Sequence, residues 1–380
     1  MTQSTDQRES LAARVGAASA VLREAGYRPI NPAIIQVASP FLDLGGEDIR
    51  ASLYFTTDRA GAELCLRPEF TIPVCRAYLS DGHAGTAARF SCAGPVFRFR
   101  SGEPDEFVQV GLESFGRTDT AAADAEILGL AIDAVSASGY GPLATVFGDA
   151  GLLTALLDTL QLPATWQRRL KRGLDKGEQP ASILAAAPGR ASDHAGVLAA
   201  LAGTDEAGAR ALVDDLLSIA GIASVGGRSA SEIAERFLGQ VALRTAPAFG
   251  REQQAILERY LAINGEPDAA ASELRALARD TGLDLGAALD LFEERISFMA
   301  VQGVNLPTTT FSGAFRHNLD YYTGFVFQAH GVGAPGVPVL TGGRYDRLAQ
   351  ALGSDVAIPA VGAAIWADRL GLAGQGISTP

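Results

Sequence analysis

Cysteine is scarce in this chain and poorly placed for structural work. Cys65, Cys75 and Cys92 are three in 380 residues, with no C-x-x-C spacing, which argues against both a disulfide framework and a zinc ribbon. His83, His194, His317 and His330 are scattered without the spacing of H-E-x-x-H, so no metal-built site and no other cofactor is expected. Basic residues are also in deficit. Lys and Arg number 31 against 43 Asp and Glu, a formal charge of −12. Proteins that grip nucleic acid neutralise phosphates with basic surface, so tRNA is not expected among the partners. No stretch approaches the roughly 18 apolar residues that span a bilayer. The opening MTQSTDQRES lacks the apolar core of a secretory signal, and the expected setting is a reducing cytoplasm with no membrane partner. The glycines of 224–231, SVGGRSAS, lack the Lys-Ser/Thr ending of a phosphate loop and read as a turn with a helix N-cap.

What remains is an ordinary globular composition, 47% hydrophobic and 19% charged, long enough for a large core. Leu11, Val15, Ala18 and Leu22 recur at helical spacing over 8–25, and an extended segment interrupted by Pro29 and Pro32 follows. Residues 50–57 and 62–67 read as a hairpin around DRAG, leading into LRPEFTIPVCRAYL (66–79). Read as extended, that segment sets Arg67, Glu69 and Thr71 on one face, where a carboxylate can hold an ammonium group. Residues 94–116 form a second hairpin that places Gln109, Gly111 and Glu113 on one face. A helix over 121–138 and a strand into a turn at PLATVFGDAG follow. Residues 151–300 turn rich in Ala, Leu, Arg and Glu and predict helices near 151–160, 205–220, 229–242, 267–280 and 285–302. A third hairpin pairs LDYYTGFVFQ (319–328) with PVLTGG across a Gly/Pro-rich turn. Strand alternation there sets Asp320 and Tyr322 on one face, Tyr321 and Thr323 on the other. GGRYDRL then enters a helix near Tyr345, and VGAAIWADRL (361–370) is a strand into a helix carrying Arg369. The predicted fold is α+β: a mainly antiparallel sheet of three hairpins flanked by helices, from residues 1–150 and 301–380, with a helical insertion over 151–300.

LDYYTG followed by GGRYDRL, together with LRPEF, the 94–116 hairpin and VGAAIWADRL, resembles histidyl-tRNA synthetase, a class II aminoacyl-tRNA synthetase. The resemblance implies a histidine site. Glu69 would take the amino group, Arg98 the carboxylate and α-phosphate, and Gln109, Glu113, Tyr322 and Tyr345 the imidazole, with Thr71 beside them and Asp320 as an orienting acid. Arg369 would lie over an ATP γ-phosphate.

Three departures separate the chain from the synthetases. The loop RSGEPDEF carries Glu103, Asp105 and Glu106, which repel phosphates. His317 stands where the family has an arginine, and Arg316, one place earlier, is expected on the opposite face of a strand. Only eleven residues follow Arg369, so no anticodon-binding domain is expected. Histidine recognition without the groups for its activation is similar to the non-synthetase branch, the regulatory subunits of ATP phosphoribosyltransferase. That resemblance implies a non-catalytic subunit acting with a short-form catalytic chain in the first step of histidine biosynthesis, with L-histidine as effector. It also implies a homodimer through residues 8–35 within a hetero-octamer, and a vestigial ATP site at Arg98, His317 and Arg369. The rival readings are an adenylate-forming enzyme that activates an amino acid and an assembly scaffold with an inert pocket.

Overall fold

The computed structural model describes residues 5–44, 46–82, 84–175, 178, 182–183, 208, 211, 215, 250–316, 321–332 and 337–371. The chain divides into two compact units, Met1–Leu156 with Arg259–Pro380, and Leu157–Glu258. In chain order the helices are α1 (Thr5–Glu24), α2 (Ser39–Leu44), α3 (Gly46–Ser52), α4 (Thr71–Ser80), α5 (Thr120–Ala137), α6 (Ala150–Thr159), α7 (Ala164–Asp175), α8 (Arg251–Ala262), α9 (Pro267–Thr281), α10 (Gly286–Val301) and α11 (Leu348–Ala351). The strands are β1 (Arg28–Pro29), β2 (Ile35–Val37), β3 (Phe55–Thr57), β4 (Glu63–Leu66), β5 (Ala88–Phe97), β6 (Glu106–Phe115), β7 (Leu143–Asp149), β8 (Asn264–Gly265), β9 (Thr309–Ser312), β10 (Phe325–Gly331), β11 (Leu340–Arg344) and β12 (Ala360–Trp366).

Among the described residues the first unit is built on a nine-stranded sheet in the order β1-β5-β6-β12-β11-β10-β7-β9-β8. Its middle is antiparallel, while β1 with β5 and β7 with β9 run parallel. The α+β class is the expected one. Apolar residues on one face meet α5 and α10, where Phe147, Phe292 and Phe311 form a cluster with ring centroids 5.0–5.8 Å apart. The opposite face carries α4, where Tyr78 stacks on Phe115 at 4.6 Å and Phe115 meets Tyr345 edge-on. The entry to α9 shows how the local sequence sets an element. The Glu266 side chain accepts from Ala269 N, Pro267 takes the first turn, and Gly282 closes the helix at φ 68°. In the second unit α7 buries Trp166, Leu170 and Leu174, and Ile183 packs where Gly173 leaves room. The helices expected near 205–220 and 229–242, and the glycines of 224–231, lie largely or wholly outside the described residues.

Several expectations require correction. The β3–β4 hairpin belongs to a separate three-stranded sheet, β2-β4-β3, so two hairpins rather than three build the large sheet. Residues 50–52 are the end of α3. The segment 66–79 is extended only to Leu66 and turns helical at Thr71. Pro73 is tolerated because it falls in the first turn, where its missing N–H has no partner to lose. The run 321–324 is a turn, and its strand begins at Phe325. Helix α11 begins at Leu348 rather than Tyr345, and Arg369 opens a single 3₁₀ turn. The 151–300 insertion is too wide, since α9 and α10 belong to the first unit and α10 packs on α5.

That packing encloses charge. Asp124 of α5, 0% exposed, accepts from Arg295 Nε of α10 and from Arg344 Nε of β11, both at 2.8 Å, and Arg295 reaches Asp149 at 2.8 Å. Removing one partner strands the others. Asp124→Ala is expected to cost about 3–5 kcal/mol of folding free energy. A urea midpoint within experimental error of the parent would show that the network contributes nothing.

Candidate functional site

A cavity of about 330 Å³ opens on the α4 side of the large sheet, a volume suited to one small molecule. Strand alternation supplies its floor. Gln109, Gly111 and Glu113 share a face of β6, and β12 lies beside them with Trp366 opposite Gln109, Ala364 opposite Gly111 and Gly362 opposite Glu113. Gly362 is a required gap, because a Cβ there would overlap the Glu113 carboxylate. Gln328 of β10 and Thr341 of β11, a cross-strand pair, extend the floor. The walls are Glu69, Phe70 and Thr71 at the start of α4, Ile49 of α3, and Tyr321 and Tyr322 of the turn before β10. The Tyr322 ring lies over Gly343, where a Cβ would stand 2.9 Å from it.

Two buried carboxylates dominate the electrostatics. Glu69 accepts from the Thr71 and Ile72 amides at 2.5 and 3.0 Å, the exposed donors of the α4 N-terminus. Burial raises its pKa, while the Ile72 amide and the Arg98 charge oppose the rise. Arg98 is fixed by a 2.7 Å bond from Nε to Pro68 O. Glu113 accepts from Thr71 Oγ1 at 2.7 Å and from the Tyr345 hydroxyl. Burial pushes its pKa up to about 8, Tyr345 and Thr71 pull it down, and Glu69 adds a further upward push. Burial also raises the Tyr321 and Tyr322 phenols, which stay neutral donors. The two rings stand 5.0 Å apart, with Tyr321 edge-on to Tyr345 at 5.9 Å.

Gln109 is 1% exposed, yet neither its Nε2 nor its Oε1 makes a hydrogen bond. An unpaired buried polar group costs about 1–3 kcal/mol, which a ligand with its own donor and acceptor would recover. Arg316 is similar: Nη1 donates to Phe315 O at 2.5 Å, while Nε and Nη2 are buried without an acceptor.

Glu69, Thr71, Arg98, Gln109, Glu113, Tyr322 and Tyr345, chosen from sequence, all line this cavity. Arg369 does not. Its guanidinium donates to Pro338 O at 2.6 Å and to Glu103 at 2.9 and 3.1 Å, and lies 4.7 Å over the Trp366 ring. His317 and Asp320 lie outside the described residues. Sequence reasoning placed Arg316 and Tyr321 on the wrong faces. Both line the cavity, because Gly313–Arg316 and Tyr321–Gly324 are not strand and the parity of alternation does not apply. Phe315 N bonds back to Ser312 O, and the Ser-Gly dipeptide at 312–313 was the available turn signal.

The family model for histidyl-tRNA synthetase matches residues 3–224 and 206–370. The ATP phosphoribosyltransferase regulatory subunit of Mesorhizobium japonicum is 40% identical over 345 residues, covering 90% of this chain and 92% of the relative. The chain belongs to the ATP phosphoribosyltransferase regulatory subunit family. The relative of the same name from Brucella canis is 40% identical over 348 residues, with 90% and 92% covered. Two solved structures share the fold of this regulatory subunit family at low identity. A regulatory subunit/histidyl-tRNA synthetase from Bacillus halodurans superposes with a TM-score of 0.68, at 22% identity, over 99% of this chain and 82% of that one. Histidyl-tRNA synthetase from Nostoc gives 0.64, at 16% identity, over 96% and 71%. The large sheet is thus that of the class II synthetases. Among the described residues no helix is long and apolar enough to cross a membrane.

Two outcomes follow from the site's polar groups. Gln109→Leu removes an unsatisfied amide and is expected to stabilise the unliganded protein by about 1 kcal/mol while abolishing ligand-induced stabilisation; a lower urea midpoint would contradict this. Glu113 binds its proton more tightly folded, at about 8, than unfolded, at about 4.3. Its contribution to stability is therefore full below about pH 4.3 and is lost as pH rises through 8. Glu113→Gln cannot titrate, so its stability relative to the parent should improve between pH 5 and pH 8; a constant difference in urea unfolding would refute the raised pKa.

Proposed function

We propose that this chain is the regulatory, non-catalytic subunit of ATP phosphoribosyltransferase in the first step of histidine biosynthesis, required by a short-form catalytic chain, and that its cavity binds L-histidine as feedback effector. The observation that carries the reading is the unpaired Gln109 amide, buried in a cavity that also holds two carboxylates and two guanidiniums. Such a site suits a zwitterion with a polar ring. Glu69 takes the ammonium and Arg98 the carboxylate, with Arg316 as a second donor beside it. Glu113, Gln109, Tyr322 and Tyr345 surround the imidazole, and Thr71 fixes the Glu113 carboxylate.

The absence of chemistry in this subunit is supported by the state of its other arginines. Arg369 and Arg100 are both paired with Glu103, at 2.9 and 2.5 Å, so cations that a nucleotide phosphate would need are already engaged. The apolar side chains of Ile34, Ile35, Val37 and Phe55 are exposed on and beside the β2-β4-β3 sheet. That surface supports a homodimer through the N-terminal region, as part of a hetero-octamer with the catalytic chain.

The test is phosphoribosyl-ATP formation by a short-form catalytic chain from the same source, with and without this subunit, across a histidine titration. Activity should depend on this chain, and histidine should suppress it. Glu69→Gln should raise the half-inhibiting histidine concentration roughly thirtyfold or more, since breaking a buried charge pair costs about 2–5 kcal/mol. Unchanged inhibition would move the effective histidine site away from this cavity, to the subunit interface. Histidine-dependent exchange of pyrophosphate into ATP would replace the regulatory reading with an amino-acid-activating one, which the presence of Arg316 in the cavity favours.

A further inference from the structure

The two ligand-facing tyrosines sit on a turn, Tyr321–Gly324, with no strand ladder to hold them. What fastens the turn is polar and partly buried. Thr323 N donates to Arg344 O at 2.8 Å, and Asp346 N donates to Thr323 Oγ1 at 3.0 Å. Ala150 N donates to Gly324 O at 2.9 Å. The stem of Arg344 runs beneath Gly324, where an added Cβ would stand 3.2 Å from Arg344 Cδ. The head of Arg344 donates to Asp124 through Nε at 2.8 Å and to Asp346 through Nη1 at 2.9 Å. From Asp124 the connection continues through Arg295 to Asp149, each step 2.8 Å, and Asp149 precedes Ala150 in the chain. The path closes on itself: turn, Arg344, Asp124, Arg295, Asp149–Ala150, turn. Arg344, 3% exposed, and Arg295, 1% exposed, are the buried cations of this ring.

We propose that Thr323 and Arg344 are positioning residues: this closed ring of ion pairs and backbone bonds aims Tyr321 and Tyr322 into the cavity, and its anchors in α5 and α10 set the affinity for the ligand. Neither residue lines the cavity. A strand would fix such side chains by its own ladder; in this four-residue turn the backbone bonds at Thr323 and Gly324, directly after the two tyrosines, rest on the ring. A guanidinium suits the place because its planar fork reaches two carboxylates at once, which an ammonium cannot match. The ligand half of this inference rests on the histidine reading above; the ring itself does not.

Arg344→Lys and Thr323→Val are the informative variants, with Thr323→Ser as the conservative control that keeps the acceptor for Asp346 N. In the ligand-free protein, amide hydrogen exchange in peptides covering 321–327 should quicken about tenfold in Thr323→Val relative to the parent, the loss of roughly one buried hydrogen bond, and stay at the parent rate in Thr323→Ser. Histidine Kd by calorimetry should rise about tenfold in Thr323→Val and Arg344→Lys and recover in Thr323→Ser. A purely structural role would lower the urea midpoint of the variants and leave both local exchange and Kd unchanged, which overturns the proposal. If the parent fails to bind histidine, the histidine reading fails, and the exchange comparison still decides the ring. If Arg344→Lys does not fold, Thr323→Val, which leaves every ion pair intact, carries the decision.

Discussion

Two carboxylates, Glu69 and Glu113, are kept out of water in one cavity, and much of the surrounding structure makes that tolerable. Desolvating a carboxylate costs several kcal/mol unless its oxygens find donors. Glu69 finds them in the Thr71 and Ile72 amides, so the start of α4 and the position of this acid form one device. Glu113 finds them in Thr71 and Tyr345, and it has room only because β12 presents Gly362 beneath it. Thr71 thus serves both acids, one through its backbone and one through its hydroxyl. Burial outweighs the two donors to Glu113, the nearby Glu69 adds to it, and the Glu113 carboxyl is pushed up to about 8. A cavity lined in this way favours a ligand that brings positive charge or hydrogen-bond donors of its own.

How much of this could be read in the sequence depends on which periodicity governed each segment. The strands β5 and β6 pair without interruption over ten residues each, so the two-residue period of a strand was enough to set Gln109, Gly111 and Glu113 on one face. The β10–β11 hairpin was legible from its glycine- and proline-rich turn. Where the chain left regular structure, parity arguments failed. Arg316 looked one residue out of register only because a strand was assumed; the turn at Ser312–Phe315 brings its side chain into the cavity. Tyr321 and Tyr322, adjacent in sequence, serve the same cavity for the same reason. Glu69, singled out by the resemblance, lines the cavity from just before α4 and not from a strand, since Pro73 invited an extended reading of what is the first turn of a helix. The need for glycine at 362 was invisible, because it depends on a side chain from the neighbouring strand.

The acidic loop between β5 and β6 carries the difference between a binding scaffold and a reaction site. From the sequence its acids looked like a source of repulsion toward phosphate. In the structure they act more directly, as internal counter-ions. Partial burial would raise the Glu103 carboxyl, but Arg369 and Arg100 together hold it below the usual carboxylate range. Asp105 accepts from the Tyr54 hydroxyl at 2.5 Å and from the Arg100 amide at 3.0 Å, which pins the loop to the region before β3. Arg100 also lies 3.7 Å over the Phe107 ring, and Arg369 stacks on Trp366, which also lines the cavity. A phosphate entering here would have to displace a carboxylate already held by two guanidiniums, with no net gain in paired charge. The cavity itself presents the opposite situation: the Gln109 amide and two nitrogens of the Arg316 guanidinium, Nε and Nη2, are buried without a hydrogen-bond partner, which a small ligand could provide. The contrast is one of pairing: Arg100 and Arg369 already hold a carboxylate in the acidic loop, while the buried Gln109 amide of the cavity has no partner, and the proposed role of a scaffold that binds an amino acid without reacting rests on that contrast.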